Sequence, residues 1–211
     1  YLVNIADETN LYEEHNITTT SLPVSVDFYE GQLFVGYATS GVARAIDVFD
    51  VSELNVAQST KTFLDSGNIV KAISHGTHNI MVGDKLFIYS NETGETFQYA
   101  MSGFGVDVTI YDDKNDTNQT YIAVAKEGFE VEIFSVQTDT TSVTGLTSEL
   151  NISVSDPVSV EFLQKHELNG TYSDKLIIGT RTGELYIKDV SDLQNPQDDY
   201  FSDAFSGIRD I

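Results

Sequence analysis

Ser21-Leu-Pro-Val-Ser-Val-Asp-Phe28 returns almost letter for letter as Ser155-Asp-Pro-Val-Ser-Val-Glu-Phe162. The two copies start at residues 21 and 155, an offset of 134, which divides into three units of about 45 residues. Weaker copies stand between and beyond them, at Val70-Lys-Ala-Ile73, Val106-Asp-Val-Thr-Ile110 and Arg209-Asp-Ile211. Each alternates apolar and polar residues, the period of a half-buried strand. The mean spacing from Val24 to Arg209 is about 46 residues.

Each of these strands is followed by a second apolar run: Gln32–Tyr37, Asn79–Val82, Tyr121–Ala125 and Lys175–Gly179. A third follows at Ala43–Phe49, Lys85–Tyr89, Glu130–Phe134 and Glu184–Lys188. Turn pairs such as Glu30-Gly31, Gly83-Asp84, Glu127-Gly128 and Thr182-Gly183 separate them, with glycine where a hairpin needs positive φ. A fourth, less regular strand is expected near Glu13–Thr20, Ser59–Leu64, Thr96–Met101, Ser142–Leu146 and Tyr200–Ala204. Four antiparallel strands per unit, repeated radially, is the plan of a β-propeller. A β-helix has a shorter period, a sandwich lacks the long echo, and a helical solenoid needs an apolar period of 3.6, which no long segment carries.

The sequence therefore predicts an all-β propeller of four-stranded antiparallel blades. Its units are 1–22 (the end of a blade), 23–69, 70–105, 106–156, 157–206 and 207–211 (the start of the next). On this reading the chain is an arc of a larger ring. Val24, Val26, Leu33, Val35, Val106, Val108, Ile122, Val158, Val160, Leu176 and Ile178 are expected to be buried between blades.

Ile187-Lys-Asp-Val-Ser-Asp-Leu-Gln-Asn-Pro196 resembles the hallmark of LVIVD-type propeller repeats, and Val3–Asn10 and Phe49–Asn55 resemble it too. Leu86–Asn91 and Glu132–Val136 depart from it by lacking the Asp. In physical terms the Asp and Ser of this motif bond nearby backbone and fix the bend between strands three and four. The resemblance implies a folding motif and no catalytic residues.

Composition narrows the function. The chain has 211 residues, with 11 Lys and Arg against 33 Asp and Glu, a formal net charge of −22. Phosphate binding needs clustered cations, so nucleic acid and anionic membranes are poor partners. Other proteins, surface glycans or self-assembly into a larger structure fit better. There is no cysteine, which removes disulfides, zinc–thiolate sites and a thiol nucleophile. No apolar run is long enough to insert in a membrane as a helix.

Six Asn-x-Ser/Thr sequons occur, at Asn16, Asn91, Asn115, Asn118, Asn151 and Asn169. With 12 Asn and 40 Ser plus Thr, chance supplies about two, so the excess points to a secreted or cell-surface glycoprotein. Asn16 and Asn151 precede the two copies of the Pro-Val-Ser-Val strand, on the outer strand of a blade. Asp112–Asn118 is dense in oxygen ligands but lacks the Gly and distal Glu of an EF-hand loop. His75 and His78 could approach one metal but lack a third ligand, and His15 and His166 have no clear companion. No cofactor is implied. Strand-one starts offer Ser25, Lys71, Asp107, Ser159 and Asp210 to an axial channel, a thin catalytic kit. The reading is a non-catalytic interaction or structural module; the alternative is a propeller hydrolase or lyase with its site in that channel.

Overall fold

The computed structural model describes residues 2–4, 12–15, 17, 19, 22–29, 32–37, 46–51, 61–63, 69–76, 78–90, 92–113, 119–139, 142–168, 171–193 and 195–202. Among them there are only strands and turns. Strands β1 (Leu2–Asn4) and β2 (Tyr12–His15) form a two-stranded antiparallel sheet. Four antiparallel four-stranded sheets follow, each an uninterrupted meander.

The first contains β3 (Pro23–Tyr29), β4 (Gln32–Tyr37), β5 (Ile46–Asp50) and β6 (Lys61–Phe63). The second contains β7 (Ile69–His75), β8 (His78–Gly83), β9 (Leu86–Ser90) and β10 (Thr96–Tyr99). The third contains β11 (Gly105–Asp113), β12 (Gln119–Lys126), β13 (Glu130–Asp139) and β14 (Ser142–Ser153). The fourth contains β15 (Pro157–Leu168), β16 (Thr171–Thr180), β17 (Leu185–Asp189) and β18 (Gln197–Ser202). Strand β14 runs on to Ser153, well past the expected Leu146, because its ladder with β13 continues through two register shifts.

Consecutive sheets meet through their first strands: β3 against β7, β7 against β11, and β11 against β15. Successive side chains of a strand point to opposite faces, so a continuous apolar run such as Ile122–Ala125 gives its sheet two apolar faces. In the third sheet Val108, Ile122, Val124 and Phe134 face the second sheet, where Ile80, Val82 and Ile88 meet them. Ala123, Ala125, Val131 and Ile133 face the fourth sheet and meet Val160, Phe162, Leu176 and Ile178. Phe34 and Val48 of the first sheet meet Ile69, Ala72 and Met81 of the second. The core is thus a series of interleaved slabs between sheets.

Every first strand carries a β-bulge at the same repeat position, between Pro23 and Ser25, Ile69 and Lys71, Gly105 and Asp107, and Pro157 and Ser159. A bulge leaves one residue out of the ladder and re-aims its neighbours. Gly105 opens β11 close against the second sheet: a Cβ there would stand 2.9 Å from Val82 Cβ and 3.0 Å from Met101 Cε.

Of the residues expected to be buried, Val35, Val108, Ile122, Val160, Leu176 and Ile178 are so. Leu33, Val106 and Val158 are half-buried. Val24 and Val26 correct the expectation, at 41% and 65% exposed. Val24 is the residue that the bulge drops from the ladder. Val26 stands on the face of the first sheet turned away from the second, and no sheet among the described residues covers it.

This contrast makes a direct test. Val160→Asp should lower stability by about 3 kcal/mol or more, since it buries an unpaired charge between sheets. Val26→Asp, its repeat equivalent, should change it by about 0.5 kcal/mol or less. Denaturant unfolding of the two variants gives both numbers.

Candidate functional site

Residues of the first strands line a cleft of about 280 Å³, bounded by Asp27, Lys71, Ser74, Asp107, Thr109 and Glu161. Ser25, Lys71, Asp107 and Ser159 occupy one repeat column, immediately after the bulge in each first strand. Ser25, Lys71 and Asp107 reach toward the next sheet, and Ser159 reaches back to the preceding one. Ser25 Oγ accepts the backbone N–H of Ala72 at 2.8 Å. Asp107 Oδ2 accepts the N–H of Val160 at 2.8 Å and the Ser159 hydroxyl at 3.2 Å. Thr109 Oγ1 accepts the N–H of Phe162 at 3.4 Å. Lysine has no acceptor. At the second sheet the contact becomes an ion pair instead, Lys71 Nζ to Asp107 Oδ1 at 3.5 Å.

Asp107 is 5% exposed, and this burial pushes its carboxyl above the usual carboxylate range. The N–H of Val160, the Lys71 ammonium, the N–H of Val108 and the Ser159 hydroxyl all pull the other way without cancelling the shift. The polar groups expected to line a channel therefore join one sheet to the next. Asp210 lies outside the described residues.

A second row of bonds ties the far ends of the same strands. His75 Nε2 is 2.7 Å from Asp112 Oδ2, and Thr120 donates to Asp112 Oδ1 at 2.7 Å. The Tyr111 hydroxyl donates to Asp174 Oδ2 at 2.6 Å. His75 and His78 face each other across the β7–β8 ladder. Among the described residues no group of three or more His, Cys, Asp or Glu is placed to hold a metal ion. Residues 114–118 of the acidic loop lie outside the described residues.

Two further clusters are buried within single sheets. Lys126 is 2% exposed and bonds Glu130, Glu132 (2.7 Å) and the Ser102 hydroxyl (2.9 Å). Burial pulls the Lys126 ammonium down, but the bonds to Glu130 and Glu132 outweigh it and hold it above the ordinary lysine value. Lys175 Nζ bonds Asp189 Oδ2 at 2.9 Å. Asp189 Oδ1 accepts the N–H of Ser191 at 3.0 Å, and Ser191 Oγ accepts the N–H of Asp174 at 2.9 Å. The Asp-Val-Ser run thus pins the bend after the third strand. Burial alone would raise Asp189, but Lys175 and Ser191 hold it below the usual carboxylate value.

Asn151 lies on β14, the last strand of the third sheet, and is exposed. Asn16, Asn91, Asn115, Asn118 and Asn169 lie outside the described residues.

No protein-family model matches the chain. No curated protein matches it either. Solved structures match in fold. A chain of the structure described as S. cerevisiae dbp5 bound to nup159, gle1, ip6 and adp aligns with a TM-score of 0.50 at 12% identity, over 88% of this chain and 50% of that one. A chain of the crystal structure of BBS1N in complex with ARL6DN aligns with a TM-score of 0.48 at 14% identity, over 75% of this chain and 46% of that one. The chain spans about half the length of each. At such identity the first likeness speaks to fold alone.

Asp107→Ala should cost about 1–3 kcal/mol, because it strands the buried N–H of Val160; Asp107→Asn, which keeps an acceptor, should cost less. The pH profile has a defined sign. A carboxyl raised by folding binds its proton more tightly in the native state, so the wild type should gain on Asp107→Asn as pH falls toward 3.8, the unfolded value, with no further gain below it. Asp189, lowered by folding, should behave oppositely: its contribution is present above 3.8 and lost as pH falls through its native value. Urea titrations across the acid range separate the two.

Proposed function

We propose that this chain is a run of β-propeller blades serving as a non-catalytic interaction or structural module of a secreted or cell-surface glycoprotein. The observation that carries the reading is the use made of the inner column. Ser25, Lys71, Asp107 and Ser159 all bond the neighbouring first strand. Propeller blades radiate from an axis with their first strands innermost, and the meander order and first-strand contacts support that arrangement. The Asp189–Ser191 bend supports an LVIVD-type repeat. A surface of net charge −22 suits neutral or basic protein partners and glycans, and disfavours nucleic acid. No helix among the described residues is long and apolar enough to cross a membrane.

The competing reading is a hydrolase or lyase with its site in the channel. It draws on the raised carboxyl of Asp107 beside Lys71 in the cleft. That carboxylate is already bonded to Val160, Ser159 and Lys71, so a substrate would have to displace those bonds to engage it.

The exposed place of Asn151 on a last strand leaves room for a glycan. Glycopeptide mapping of the native protein should find Asn151 occupied, with the signal lost in Asn151→Gln and unfolding unchanged within about 0.5 kcal/mol. Six unmodified sequon asparagines would remove the basis for secretion.

A further inference from the structure

Val26 and Phe28 hold the same two repeat positions as Val160 and Phe162, but their surroundings differ. Val160 and Phe162 are 2% and 7% exposed, while Val26 and Phe28 are 65% and 58% exposed. Leu22 and Val24 extend the bare apolar stretch along the chain. Val160 and Phe162 are covered chiefly by β11 and β12, the first and second strands of the preceding sheet. The outer region of the same face of the first sheet is already closed: Val35, Tyr37 and Phe49 are buried, with Ile17 packed against them. What stands open has the footprint of an inner strand pair. The β1–β2 sheet is the one two-stranded sheet among the described residues, and Val3–Asn10 matches the end of a third strand.

We propose that the Val26–Phe28 stripe is a docking face for a β-hairpin equivalent to β11–β12, the first and second strands of another unit of this same repeat. The inference rests on the equivalence of the units and stands whether or not the module is secreted or catalytic. The repeat dictates the chemistry of the occupant. It carries small or aliphatic residues where β12 has Ala123 and Ala125, so that two backbones can approach. It carries Asp or Ser in the inner column, placed to accept the Val26 N–H as Asp107 accepts that of Val160. Its burial of the stripe would remove two large apolar side chains from water, which favours association in proportion to the area covered.

The chain has no cysteine, so Val26→Cys supplies a single thiol at an exposed position. The probe is a synthetic hairpin with the sequence of residues 105–126, cyclised head to tail because an isolated hairpin is only marginally stable, its strand pairing verified by NMR. Maleimide labelling of the introduced thiol in the dilute chain should proceed at the rate of an open thiol, and saturating hairpin should slow it about tenfold. A hairpin with Asp107→Ala and Ala123→Glu should not protect. Phe28→Cys gives an independent second reporter. Three results would each overturn the proposal. Labelling undiminished by the hairpin would show that the stripe does not take this unit. Slow labelling in the chain alone at every dilution would show that the chain covers the stripe itself. Protection that grows with chain concentration without any hairpin would make a second copy the occupant.

Discussion

Each first strand must serve two partners at once. It pairs with the second strand of its own sheet, and it also lies against the first strand of the next. The buried backbone N–H groups at that second contact still need acceptors, since an unpaired buried group costs about 1–3 kcal/mol. Ser25 and Asp107 meet this need from the neighbouring sheet. A bulge stands directly before each column residue and drops the preceding residue, Val24, Val70, Val106 or Val158, from its ladder. The slabs of Val, Ile, Phe and Ala that fill the space between sheets supply most of the favourable free energy, but they are non-directional. The polar column sets how one sheet is placed on another.

The same division explains the other buried charges. Lys126 with Glu130 and Glu132, and Lys175 with Asp189, lie within sheets and join strands already paired by backbone bonds. A buried ion pair is a weak source of net stability, since desolvation consumes much of its attraction. Such pairs act best as fixtures, and here they hold second strands to third ones. Asp107 differs, because it joins three sheets and gathers a backbone N–H, a hydroxyl and an ammonium on one carboxylate.

Much of this was legible in the letters. The echo between Ser21–Phe28 and Ser155–Phe162 set the period, and alternation placed the strands that the four sheets contain. The Asp-Val-Ser bend was legible because its own bond, from the Ser191 N–H to Asp189, is local. The bulges were not, since a dropped residue such as Val24 keeps the apolar character of its neighbours. The exposure of Val26 was not legible either. Alternation tells which side of a strand is apolar, and what lies over that side is a property of the assembly. The inner column was visible as polar residues amid apolar strands, yet its role as a set of acceptors depends on where neighbouring backbones pass. Lys126 gave one signal: a lysine ending the apolar run of β12, four residues before Glu130.

The two backbone bonds of the inner column point one way. The acceptor sits on the earlier sheet and the backbone donor on the later one, at Ser25 to Ala72 and again at Asp107 to Val160. These two joints therefore share a polarity, and the joint between them reverses it, with the donor Lys71 on the earlier sheet. Nearest-neighbour coupling of this kind makes stability nearly a sum over joints. The joint between the second and third sheets is the odd one, since its column residue is Lys71 and its bond is the longer ion pair at 3.5 Å. Salt weakens a half-exposed ion pair more than it weakens buried hydrogen bonds. Ionic strength is then a selective handle, loosening the chain at its middle while the outer joints hold.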